Sequence, residues 1–201
     1  MNAHTPAFAR TLAATGGRLA LVAALLAPLA APAQTAGQSP ASDAPLQTIA
    51  RLDVARYMGT WYEIAKVPNR FQRHCVADTQ ALYRQREDGQ LDVINSCRQA
   101  NGERSEAIGR ARPLGAADSP RLEVRFAPAW LSWLPMVWGD YWVIDLDPTY
   151  QLVAVSEPKR EYLWILSRTP RVDAAAYQAL LGRLQLQGFD PSKLEPTAQA
   201  D

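Results

Sequence analysis

The stretch Gly59-Thr60-Trp61-Tyr62-Glu63-Ile64-Ala65 lies within a run, Tyr57 to Val67, that is rich in aromatic and β-branched residues and ends at Pro68. Such side chains suit a pleated, half-buried surface, and proline cannot continue a hydrogen-bonded ladder, so the run reads as a strand. Further strands follow. Thr79 to Arg86 and Leu91 to Asn95 flank Glu87-Asp88-Gly89-Gln90, and Asp-Gly between such runs signals a hairpin because a type I′ turn needs positive φ. Ser105 to Arg112 is a weaker strand. Arg121 to Phe126 alternates, with Leu122, Val124 and Phe126 on one face and Arg121, Glu123 and Arg125 on the other. In Tyr141 to Leu146 the alternation puts Trp142, Ile144 and Leu146 together. Gln151 to Val155 and Tyr162 to Ser167 complete the set, with Glu157-Pro158-Lys159-Arg160 as the turn between them. Strands at this spacing indicate an all-β barrel or sandwich. Closing an eight-stranded sheet removes its edges and leaves room for packed side chains or one small ligand. One helix follows, N-capped by Asp173, with Ala176, Ala179, Leu180 and Leu184 at helical spacing and Gly188 as its stop. It is expected to pack on the outside of the barrel.

The 201 residues suit one domain, with 48% hydrophobic and 20% charged residues. A formal net charge of +1 argues against nucleic acid as a partner. Lys and Arg are scattered, so no polybasic membrane anchor is expected. At the N-terminus, Arg10 and Arg18 precede the apolar run Leu19 to Ala27, and Ala31-Pro32-Ala33 has the small-x-small pattern of a cleavage site. Residues 1–33 therefore read as a cleaved signal peptide and 34–50 as a flexible leader. The domain proper is expected over 51–196, with 197–201 as a C-terminal tail. No Cys near the cleavage site offers itself for lipidation.

Cys75 and Cys97 are the two cysteines. In an oxidising compartment they form one disulfide or remain as two buried thiols, and both readings stand. His74 beside Cys75 admits a thiolate–imidazole enzyme as the alternative class. Asp145 and Asp147 read as solvated carboxylates on an outward face. No metal-ligand cluster, phosphate loop or nucleotide fingerprint is seen.

Three blocks identify a family resemblance: the Gly59-x-Trp61 stretch with its lead-in Asp53 to Met58, then Gly139-Asp140-Tyr141-Trp142-Val143-Ile144-Asp145, then Tyr162-Leu163-Trp164-Ile165-Leu166-Ser167-Arg168-Thr169-Pro170. Together, over about Asp53 to Leu194, they resemble the lipocalins, in particular the bacterial outer-membrane, plant temperature-induced and apolipoprotein D groups. The resemblance implies an eight-stranded antiparallel up-and-down barrel with one C-terminal α-helix on its outside. It implies that Trp61, set by Gly59, plugs the closed end with Arg168 packed across it. The loops after strands one, three, five and seven would ring the mouth, which places Cys75 and Cys97 close together and favours their bridge.

The resemblance places Tyr83 and Asn95 on the inner wall, and Val93 shares their face. Strand alternation adds Val124, Phe126, Trp142 and Ile144, and Tyr162 and Trp164 come from the last strand. An apolar, aromatic wall with sparse polar groups suits a fatty acid or lysophospholipid; the alternative is a dry, filled core. The implied role is lipid carriage or membrane maintenance in the periplasm, without cofactor or catalysis, and the family admits a homodimer. The absent lipid-anchor Cys departs from the bacterial pattern. The loop Pro128 to Trp138 holds three of the six tryptophans and no charge. For its side chains Trp130, Leu131, Trp133, Leu134 and Trp138, three readings stand: membrane contact, a lid folded over the cavity, or a dimer contact.

Overall fold

A computed structural model describes residues 44–200; the expected signal peptide, residues 1–33, and residues 34–43 of the expected leader lie outside the described residues. After a short helix α1 (Val54–Tyr57), eight strands follow in meander order: β1 (Gly59–Lys66), β2 (Cys75–Gln85), β3 (Leu91–Gln99), β4 (Arg104–Pro113), β5 (Arg121–Arg125), β6 (Gly139–Leu146), β7 (Leu152–Ser156) and β8 (Leu163–Ser167). Each pairs antiparallel with the next, and β1 pairs with both β2 and β8, which closes the barrel. Helix α2 (Ala174–Leu186) follows, then a two-residue strand β9 (Glu195–Pro196). Asp173 caps α2 by accepting from the Ala176 N–H (2.8 Å), and Gly188 beyond its end takes φ +86°.

Two apolar clusters organise the fold. The inner one holds Tyr57, Trp61, Tyr83, Val93, Val143 and Leu166. The outer one packs Leu180 and Leu184 of α2 onto Ile144, Ala154, Leu163 and Ile165. Strand β7 is buried throughout because it has the barrel interior on one face and α2 on the other.

The same covering by α2 corrects the reading of β6. Trp142 and Ile144 belong to the outer cluster, whereas Tyr141 and Val143 face the interior. Beneath a helix both faces of a strand must be apolar, so alternation cannot tell inside from outside. A register shift between Val143 and Asp145 then returns Leu146 to the interior and leaves Asp145 paired with Arg183 of α2 (2.6 Å).

The borders of the domain also differ from expectation. Leu46 is buried in the outer cluster and the Ile49 N–H donates to the Val143 carbonyl (3.1 Å), so the end of the leader is part of the packed structure. At the other end, β1 and β2 are in register from Gly59↔Tyr83 to Tyr62↔Gln80 and then part. The C-terminal segment enters that gap. β9 pairs with Ala65 and Lys66, Thr197 N–H donates to Ile64, and Asp78 N–H donates to Ala198. The Gln199 amide bridges the carbonyls of Glu63 and Thr79, both at 2.8 Å. A barrel seam that strand pairing leaves open is thereby satisfied by a strap.

Candidate functional site: the barrel cavity and its mouth

The closed end is built around Trp61. Its indole N–H donates to the Tyr57 carbonyl (2.8 Å), and the Arg168 guanidinium lies 3.9 Å from its ring centroid. Arg168 also donates to the carbonyls of Thr60 (3.0 Å), Arg56 (2.6 Å) and Tyr150 (3.3 Å). Gly59 is required here: its φ is +95°, and a Cβ would lie 3.3 Å from Arg168 Nη1.

Above this plug, three tyrosines from three elements meet. The Tyr141 hydroxyl lies 2.7 Å from that of Tyr57 and 2.9 Å from that of Tyr83. Burial pushes all three pKa values up, that of Tyr83 to about 12 and those of Tyr57 and Tyr141 well above the usual phenol range. Three hydroxyls carry three hydrogens and the two bonds use two, so one donor is left over.

The wall rises from there through Val93, Val124, Val143 and Val155. Asn95 sits opposite Ala81 on one side and Ala107 on the other, hence on the inner face, and its amide has no hydrogen-bond partner among the described residues. Phe126 folds over Gly109, where a Cβ would come within 2.8 Å of the ring, and stays 43% exposed near the mouth.

At the mouth, Phe71, Tyr162 and Trp164 form an aromatic row with centroids 5.6 and 5.7 Å apart. Glu63 shares the inner face of Trp61, opposite Leu166, and a register shift between Glu63 and Ala65 puts Lys66, opposite Trp164, on that face too. Buried Glu63 accepts from Lys66 (2.8 Å), Gln72 (2.5 Å) and Thr197 (2.6 Å), and Gln72 in turn accepts from the Trp164 indole N–H (2.9 Å). A buried carboxylate is thus fully compensated. Cys75 and Cys97 are joined by a disulfide across a Cα–Cα distance of 5.5 Å, and His74 meets Ser105 Oγ at 3.2 Å. The His74–Cys75 pair therefore holds no thiolate.

Residues 52–199 match the lipocalin-like domain family. The chain is a lipocalin. Temperature-induced lipocalin-1 of Arabidopsis thaliana is 41% identical to it over 158 residues, 78% of this chain and 84% of that protein. The outer membrane lipoprotein Blc of Escherichia coli K12 is 38% identical over 156 residues, 77% and 84% of the two chains. Apolipoprotein D of Mus musculus is 30% identical over 156 residues, 74% and 78%. Among solved structures, insecticyanin of the tobacco hornworm superposes with a TM-score of 0.59 at 19% identity, over 78% of this chain and 84% of that one, a likeness of fold.

Within this lipocalin, the expected inner residues Tyr83, Val93, Asn95, Val124, Phe126 and Trp164 share one interior, and Tyr162 joins them at the rim. Trp142 and Ile144 do not. Tyr57, Tyr141, Glu63 and Lys66 were missed: Tyr141 by the inverted face of β6, and Lys66 because the bulge that turns it inward leaves no periodic trace, although Glu63 shares the face of Trp61 by simple alternation. The mouth loop divides. Trp130 and Trp133 are 74% and 75% exposed, and Leu131 and Leu134 are half-buried. Trp138 instead packs between the guanidinium groups of Arg112 (4.1 Å) and Arg125 (5.2 Å), with its indole N–H on the Ser132 carbonyl (2.9 Å).

Proposed function

We propose that this lipocalin carries one acyl lipid, a fatty acid or lysophospholipid, in its barrel and takes it from or delivers it to a membrane in the cell envelope. Lipocalins generally bind small hydrophobic molecules, and the relative named an outer membrane lipoprotein supports an envelope setting. The observation that carries the proposal is the inner wall: apolar valines and aromatics, with an uncommitted Asn95 amide and a spare tyrosine hydrogen to orient a carboxyl or ester group. Each buried methylene would contribute about 0.8 kcal/mol. Trp130 and Trp133 at the mouth supply the side chains that favour a membrane interface. The signal peptide would export the chain to the periplasm.

Displacement of a fluorescent fatty acid tests the cavity. Ala107, opposite Asn95, is replaced by Trp to fill the space. Binding should weaken at least about tenfold, corresponding to about 1.4 kcal/mol, while far-ultraviolet circular dichroism is unchanged. Equal affinity in Ala107→Trp and wild type would refute the interior site.

A further inference from the structure

We propose that the outer wall beside the mouth loop holds a site for the phosphate of an anionic phospholipid, built by Arg125, Arg112 and Trp138. The inference rests on the membrane contact proposed above and names the lipid chemistry it selects.

Arg125 ends β5 and is 7% exposed, yet it has no carboxylate partner among the described residues. One Nη donates to the Ala127 carbonyl, its Nε has no hydrogen-bond partner, and its remaining compensation is the Trp138 ring. A buried guanidinium compensated by one carbonyl and one indole face is short of negative charge. Arg112 stacks on the same indole and is held by Glu123 (2.8 and 3.0 Å). Two arginines that are thirteen positions apart in sequence are thus gathered on one tryptophan, a cluster that no charge run announces. Phosphate suits planar guanidinium groups because it accepts several charge-assisted hydrogen bonds at once.

Its position points to a lipid surface. Trp138 closes the loop that presents Trp130, Trp133 and Met136, the last 84% exposed, so inserted side chains and an interfacial phosphate would be met by one segment. The loops around the mouth carry Arg70, Arg73, Lys159 and Arg160 against Glu103, Glu157 and Glu161, so no excess of acid there opposes an anionic surface.

The test uses the full chain and co-sedimentation with vesicles of phosphatidylcholine alone or with about one-third phosphatidylglycerol, at physiological salt. Wild type is expected to bind the anionic vesicles several-fold more tightly. Arg125→Gln should lower anionic binding about fivefold, the worth of one surface cation, and leave binding to phosphatidylcholine in place. Glu123→Gln, which releases Arg112, should raise the anionic preference. Thermal melts of both variants separate loss of fold from loss of site, and the gain in Glu123→Gln does not depend on a damaged core. Equal binding of wild type to both vesicles, with Trp130→Ser/Trp133→Ser abolishing it, would overturn the phosphate site and keep the docking. No binding to either vesicle would overturn both. Arg125-dependent binding of inorganic phosphate without any vesicle preference would assign the cluster to a free anion and also overturn the lipid reading.

Discussion

Gly59 shows how much one residue can decide. The Gly-x-Trp pattern was legible in the sequence, but its reason is spatial: a positive φ and the guanidinium of Arg168 packed over the site. Gly59→Ala should therefore cost about 1–2 kcal/mol of stability by chemical denaturation, from the left-handed backbone alone. Arg168→Lys keeps the charge but loses the planar stack on Trp61 and the fan of three carbonyls, at about 1–3 kcal/mol. That fan could not be read from sequence, because backbone acceptors leave no side-chain signature. Asn95 was legible as an inward residue; that its amide stays uncommitted is a property of the folded wall.

Strand β6 marks where periodicity fails. Its apolar residues run on both faces because α2 covers one of them, so only the helix contacts separate Tyr141 and Val143 from Trp142 and Ile144. Ile144→Ala tests the assignment: it should lower stability by about 2–4 kcal/mol through a cavity under α2 and leave fatty-acid affinity unchanged. A parallel loss of affinity would return Ile144 to the ligand wall. The tyrosine cluster joins α1, β2 and β6 and gives a pH signature. A phenol whose folded pKa is raised binds its proton more tightly than in the unfolded chain. Its contribution to stability is complete below the unfolded value of about 10 and is lost as pH rises through the folded values, about 12 for Tyr83 and likewise well above the usual phenol range for its partners. Alkaline melts should show stability falling across that window. Tyr141→Phe, which removes the shared hydroxyl, should change the steepness of that fall.

Across the whole molecule, the eight strands and the outer helix follow from turn chemistry and apolar spacing and were legible for that reason, whereas their meander order in a closed barrel rather than a sandwich came from the family resemblance. The seam between β1 and β2 was not. Residues 195–200 have no strand pattern, and they pair because the barrel leaves a gap of the right width. The gathering of Arg112 and Arg125 on Trp138 is of the same kind, a product of closure. Closure also sets the central proposal, since an eight-stranded barrel plugged at one end has an interior of the size that packed side chains or one small ligand fill. Native mass spectrometry of the full chain, delipidated and then offered a long-chain fatty acid and a lysophospholipid, tests this directly. The predicted result is one added lipid per chain, retained by the wild type and lost in Ala107→Trp. A spectrum of bare protein at every lipid concentration, or equal uptake by Ala107→Trp, would contradict carriage in the barrel.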